Sequence, residues 1–190
     1  MDREIVNIVS GLPRSGTSLM MKMLEAGGLQ PLVDEIRGAD IDNPKGYYEF
    51  ERVKKLPNDT AWLPDAQGRS VKVLAELIKY LPSNYSYRIV FMMRDIDEII
   101  VSQRKMMIRR SEDPDSVPDD EMRDLLRAYL RNLKAHVKEQ PNMDACYLSY
   151  NDLMRDPDIS LEDLDEFFKG ELNIEEMRNA IDHSLYRNRN

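Results

Sequence analysis

Gly11-Leu12-Pro13-Arg14-Ser15-Gly16-Thr17-Ser18 joins an apolar run, Ile5 to Val9, to a helical stretch, Thr17 to Glu25, that Gly27 and Gly28 stop. Glycines at this spacing carry little alone: at about 7% glycine, roughly one such pair arises by chance in a chain of this length. The setting gives the pair its meaning. Where a strand passes through such a loop into a helix, the N–H groups of the loop and first helical turn converge, and with the helix dipole they form an anion site. The alternative is a plain strand-to-helix turn. The Walker pattern Gly-x-x-x-x-Gly-Lys-Ser/Thr is incomplete, because Thr17 stands where its lysine belongs and the cation comes earlier, at Arg14. A lysine on the β- and γ-phosphates and a hydroxyl on Mg²⁺ are the parts of γ-phosphoryl transfer. Their rearrangement points to a different donor.

Outward from the loop, strands and helices alternate, which predicts an α/β fold: a central, mainly parallel sheet with helices on both faces. Val71 to Leu74 reads as a short strand, Tyr87 to Met93 as a firmer one and Ala145 to Tyr150 as another. Asn43-Pro44-Lys45-Gly46 fits a type I turn. Asp95 opens a helix, and Glu98 stands at the capping-box spacing from it; Ile96, Ile99, Ile100 and Met107 form its apolar stripe. Ser111 to Pro118 is a polar loop. Asp119, Asp120 and Glu121 put negative charge where the next helix dipole favours it, and that helix keeps its period from Met122 through Val137 until Gln140-Pro141. Short helices are expected over Leu161–Phe168 and Ile174–Ile181, opened by Ser160 and Asn173. The methionines fall mostly on apolar stripes and read as core filler.

The 190 residues predict one domain, 1–190, and 42% hydrophobic residues suffice for a core. A net charge of −8 argues against nucleic-acid or anionic-membrane partners, yet leaves room for a local cationic pocket. A single cysteine, Cys146, excludes an internal disulfide framework and suits a reducing compartment. It reads as a small core residue on a strand. No charged segment followed by an apolar one precedes the first strand, and no apolar run reaches membrane-spanning length, so a cytoplasmic protein is expected. The two histidines are too few and too separated to suggest a metal site.

At Pro13-Arg14-Ser15-Gly16-Thr17-Ser18 the chain resembles the sulfotransferases, whose loop binds the 5′-phosphosulfate of 3′-phosphoadenosine 5′-phosphosulfate (PAPS). The resemblance continues at Arg94, at the end of a strand, and Ser102 in the following helix; in that family such a pair holds the donor's 3′-phosphate. Looser likeness to bacterial-type members runs through Asn43 to Glu49, Asp97 to Gln103, Tyr150 to Leu153 with Asp156-Pro157, and Ser184 to Arg187. The resemblance implies a three-layer α/β/α fold of the P-loop nucleotide-hydrolase type. It also implies transfer of a sulfuryl group from PAPS to a hydroxyl or amine of a small-molecule acceptor, with release of 3′,5′-adenosine bisphosphate (PAP).

On that reading Ser15, Gly16, Thr17 and Ser18 grip the 5′-phosphate, and Arg14 stabilises the charge that builds as PAP leaves. A hydroxyl acceptor also needs a base. Many cytosolic members carry a histidine just after a lysine-bearing strand; here Lys72 is present and the histidine is not. Other branches use a glutamate, and Glu49 is the first candidate, with Glu51 and Asp42 as rivals. His136 and His183 are weaker choices. Trp62 and Tyr150 are candidates for an adenine platform or for plain packing. Arg187 or Arg189 could reach the 3′-phosphate. Two rival functions remain at this level: a P-loop small-molecule or nucleotide kinase, and a non-catalytic PAP-binding protein on the same fold.

Overall fold

The computed structural model describes residues 4–34, 48–114 and 117–183. Its sheet is four-stranded and parallel, in the order β2-β1-β3-β4, with β1 at Ile5–Gly11, β2 at Ser70–Lys72, β3 at Ser86–Met93 and β4 at Met143–Ser149. β1 has a partner on each side, pairing Val9 with Lys72 and Gly11 with Met92. Helices cover both of its faces, which is why Ile5 to Val9 is apolar on both sides apart from Asn7, whose side-chain amide donates to the Arg69 carbonyl.

Alternate residues on the strands feed two cores. Val6 and Ile8 of β1 and Ile89 and Phe91 of β3 join one cluster, with Leu130, Leu133 and Val137 of helix α4 (Asp119–Glu139). Val9, Val90 and Met92 join the other, packed by Met20, Met21 and Met23 of helix α1 (Thr17–Ala26). Val6, Ile8 and Val9 are fully buried, worth about 1.5–3 kcal/mol each. Among the described residues the remaining helices are α2 (Leu63–Ala66), α3 (Ile96–Arg109), α5 (Tyr150–Arg155), α6 (Asp158–Phe167) and α7 (Ile174–Asn179), with 3-10 turns at Glu51–Lys55 and Ala75–Tyr80. The layered α/β/α architecture expected from the sequence is present.

The boundaries follow local chemistry. α1 ends in a Schellman arrangement: the Leu29 N–H reaches the Leu24 carbonyl, the Gly28 N–H reaches that of Glu25, and Gly28 takes φ 101°. Asp95 caps α3 by accepting the Glu98 N–H, and Asn173 caps α7 through the Glu176 N–H. The strand expected over Val71–Leu74 is found at Ser70–Lys72, with Val73 and Leu74 beyond its end, and two further expectations are corrected. Tyr150 is the first residue of α5 rather than the end of a strand, because the Ser149 hydroxyl accepts the Asp152 N–H and turns the chain into a helix. α6 starts at Asp158 after Pro157, not at Ser160, which is buried inside it. The Asn43–Gly46 turn lies outside the described residues. No helix among the described residues is long and apolar enough to cross a membrane.

Cys146 sits half-buried on β4, and burial, aided by the Asp163 and Asp144 carboxylates, pushes its thiol up to about 11. A free cysteine near 8.5 would carry on the order of a hundred times more thiolate at pH 8. Alkylation of the folded chain with iodoacetamide is therefore expected to be slow at pH 8 and to keep accelerating beyond pH 10. A rate that levels off near pH 9 would contradict this.

Candidate active site

The connections of β1 and β3 diverge. β1 leads through its loop to α1 on one face, and β3 leads to α3, whose Ile99 joins the core on the other. Such a switch point leaves a crevice outside the carboxyl ends of the strands. Most of the residues singled out from the sequence gather at that edge.

The loop is shaped by one turn. The Ser15 N–H donates to the Leu12 carbonyl at 3.1 Å, Pro13 follows Leu12, and Arg14 takes φ 73°. This is the type II pattern, whose third position ordinarily wants glycine or asparagine. Gly16 then caps α1 in a left-handed conformation, φ 96° and ψ 14°. A Cβ there would meet Tyr150 Cδ2 at 2.3 Å, and one at Gly11 would meet Ser15 Oγ at 2.3 Å. Thr17 is the first residue of α1, so the free N–H groups of that turn face the loop. Ser15 is fully buried and its Oγ has no protein partner.

Three cations meet the loop. Arg14 Nε donates to Ser102 Oγ at 3.0 Å, and Arg94 Nη1 donates to the Arg14 carbonyl at 3.0 Å. The Arg94–Ser102 pair expected from the sequence is thus brought together through Arg14. Arg94 also stacks on the Tyr150 ring, 4.6 Å from its centroid, and Tyr150 is only 4% exposed. Its ring is held between Gly16 and a guanidinium. Lys72, 6% exposed in its side chain, lies 3.4 Å from Ser18 Oγ and 4.0 Å from Glu49 Oε1.

Glu49 reaches this edge because its carbonyl accepts the Asp34 N–H, at the end of a segment that joins the sheet through Pro31 and Ser70. Its other oxygen is 3.4 Å from Lys54 Nζ. Glu51 is turned to Lys54 at 2.6 Å and is more exposed. Asp42, Arg187 and Arg189 lie outside the described residues. Trp62 is a packing anchor: it is fully buried, edge-on to Phe50 at 5.7 Å, with its indole N–H on the Asp59 carbonyl. His136 lies in the last turn of α4, and His183 Nδ1 lies 3.1 Å from the Met154 carbonyl. Among the described residues no group of three or more histidine, cysteine, aspartate or glutamate side chains could hold a metal ion.

Glu98 stands in the sequence as a capping residue and Asn151 within the Tyr150–Leu153 stretch of family likeness; neither has a pattern that marks it as a partner of Arg94. Lys72 serves there only to mark a strand. A lysine inside a short apolar strand was the available signal, since a buried ammonium needs a counter-charge.

A family model described as "Sulfotransferase family" matches residues 42–173. The match begins after the Gly11–Ser18 loop, so that loop stands on its own geometry. No curated protein matches. Among solved structures, the crystal structure of retinol dehydratase in complex with androsterone and inactive cofactor PAP aligns with a TM-score of 0.50 and 14% identity, over 95% of this chain and 64% of that one. At that identity the likeness is one of fold, and the chain spans less than two thirds of its neighbour's length.

Proposed function

Because the chain belongs to the sulfotransferase family, we propose that it transfers a sulfuryl group from PAPS to a hydroxyl or amine of a small-molecule acceptor, releasing PAP. The observation that carries this reading is the convergence of Arg14, Arg94 and Ser102 on a glycine-capped helix N-terminus at the sheet's switch point. The residues fit a donor with two phosphate groups. The cradle at Gly16 has no space for a Cβ, the buried Ser15 hydroxyl lacks a protein partner, and two arginines and a lysine stand around the loop. The neighbour's PAP and androsterone support a donor and an acceptor of those classes. Both cores lie on one sheet, which supports reading 1–190 as one domain.

PAPS supplies a sulfuryl group already activated as a phosphosulfate anhydride. The chain's part is to bind, orient and neutralise. Ser15, Gly16, Thr17 and Ser18 hold the 5′-phosphate through backbone N–H groups and hydroxyls. Arg14 offsets the charge that grows on the departing side. Arg94 and Ser102 hold the 3′-phosphate, with Arg187 as a further cation; a five-donor guanidinium can serve a carboxylate, a carbonyl and a phosphate together. Tyr150 acts on the donor through the loop, by bracing Gly16. Glu49 takes the acceptor's proton, and Lys72 keeps that carboxylate beside the loop.

Isothermal titration tests the donor assignment. PAP is expected to bind without Mg²⁺ and more tightly than ATP. Mg²⁺-dependent ATP binding in preference to PAP would overturn it in favour of a kinase. PAP binding with no transfer of labelled sulfate to a broad acceptor panel would reduce the protein to a PAP-binding one.

A further inference from the structure

Behind Arg94 lies a closed chain of contacts that the transfer reaction as described does not use. Glu98 Oε2 accepts from Arg94 Nε at 2.8 Å, and Glu98 Oε1 accepts from Asn151 Nδ2 at 2.9 Å. Asn151 Oδ1 in turn accepts the Asp95 N–H at 2.9 Å, and Asp95 Oδ1 accepts the Glu98 N–H at 3.1 Å. The Glu98 side chain is 3% exposed and that of Arg94 8%. A carboxylate buried this deeply is tolerated only with its partners in place. Its two oxygens tie the β3–α3 junction to the first turn of α5, the turn that also carries Tyr150.

The far end of this chain is the phosphate loop. Arg94 is fixed by Glu98 on one edge and by the Tyr150 ring on its face, and it spends Nη1 on the Arg14 carbonyl. Arg14 is the loop residue at φ 73°. A side chain other than glycine persists in that conformation only where its surroundings determine it.

We infer that Glu98, clamped by Asn151, is a positioning residue of the donor site: through Arg94 it holds Arg14 in the left-handed conformation that shapes the phosphate loop. The inference rests on the donor reading above. A supporting partner of this kind is what keeps a binding constellation in its working geometry.

The test is a double-mutant cycle on the full chain, with PAP titrated by calorimetry and the melting midpoint recorded for each variant. Glu98→Gln removes the charge and keeps the shape. It is expected to weaken PAP binding about tenfold, the worth of a hydrogen bond to a charged group. Arg94→Lys keeps the charge but loses the fork that reaches Glu98 and Arg14 together. In that background Glu98→Gln is expected to cost less than about a further twofold. A full additional loss would mean that Glu98 does not act through Arg94, and would overturn the inference. So would a lowered midpoint with unchanged PAP affinity, the mark of a purely structural role. If Glu98→Gln does not fold, Asn151→Ala, at the more exposed end of the clamp, is read in the same cycle. Failure of the unaltered chain to bind PAP overturns the donor reading, and this inference with it. Tight binding by both the unaltered chain and Glu98→Gln overturns the inference alone.

Discussion

Replacing Gly16 by alanine is expected to lower the stability of the chain by about 3 kcal/mol and to abolish measurable PAP binding. Two costs add. The backbone stands at φ 96°, where a Cβ costs about 1–2 kcal/mol. The new methyl group would then sit 2.3 Å from Tyr150 Cδ2 and 2.8 Å from Cε2, an overpacking worth about 1–3 kcal/mol. For a chain of this size the sum corresponds to a fall in melting temperature of about 6–12 °C. Binding suffers beyond stability, because a displaced Tyr150 withdraws the ring on which Arg94 stacks. Gly28 is the control. It too is left-handed, at φ 101°, but nothing lies within 4 Å of a Cβ there. Gly28→Ala is expected to cost only the strain, about 1–2 kcal/mol, and to leave PAP binding intact. Equal melting shifts for the two variants would show that close approach to Tyr150 does not matter. A Gly16→Ala, Tyr150→Ala double variant should also be less destabilised than the sum of its parts, since the second change removes the clash made by the first.

The loop and its flanks were legible because the evidence for them is local. An apolar run, a glycine-bounded turn and a helical period lie side by side within Ile5 to Ala26. The long helix α4 was legible to within a residue, because acidic residues open it and Gln140-Pro141 closes it. Single 3-10 turns such as Glu51–Lys55 were not, since five residues are too few to display a period. Tyr150 continues the apolar, strand-forming pattern of Ala145 to Leu148, and only the Ser149 cap, a single side-chain hydrogen bond, turns it into a helix. The site divides along the same line. Arg14, Ser102 and Arg94 came from a motif, whereas Lys72 and Asn151 enter through strand pairing. Parallel pairing of Val9 with Lys72 and of Met93 with Ser149 brings β2 and the start of α5 to the loop's edge. No local pattern encodes contacts such as Lys72 to Ser18, 54 residues apart, or Asn151 to Glu98, 53 apart.

Glu49→Gln is expected to lower kcat for a hydroxyl acceptor by about a hundred- to ten-thousandfold, the usual worth of a general base, while PAP affinity stays near that of the unaltered chain. The substitution keeps the size of the side chain and one oxygen, which can face Lys72 or Lys54 but not both, and it cannot accept the acceptor's proton. Glu51→Gln is the matched control. That carboxylate is turned to Lys54 at 2.6 Å and does not approach Lys72 as Glu49 does, so little loss of kcat is expected. A second explanation has Glu49 merely holding Lys72 beside Ser18. The two roles separate on the acidity of the acceptor. A base matters most when the acceptor holds its proton tightly, so the loss should be large for an aliphatic alcohol and much smaller for an acidic phenol. A residue that only positions Lys72 acts on the donor side, and its loss should be the same for every acceptor. Transfer of labelled sulfate from PAPS to a graded series of phenols and alcohols decides between them: a loss that does not vary along the series removes Glu49 from the role of base.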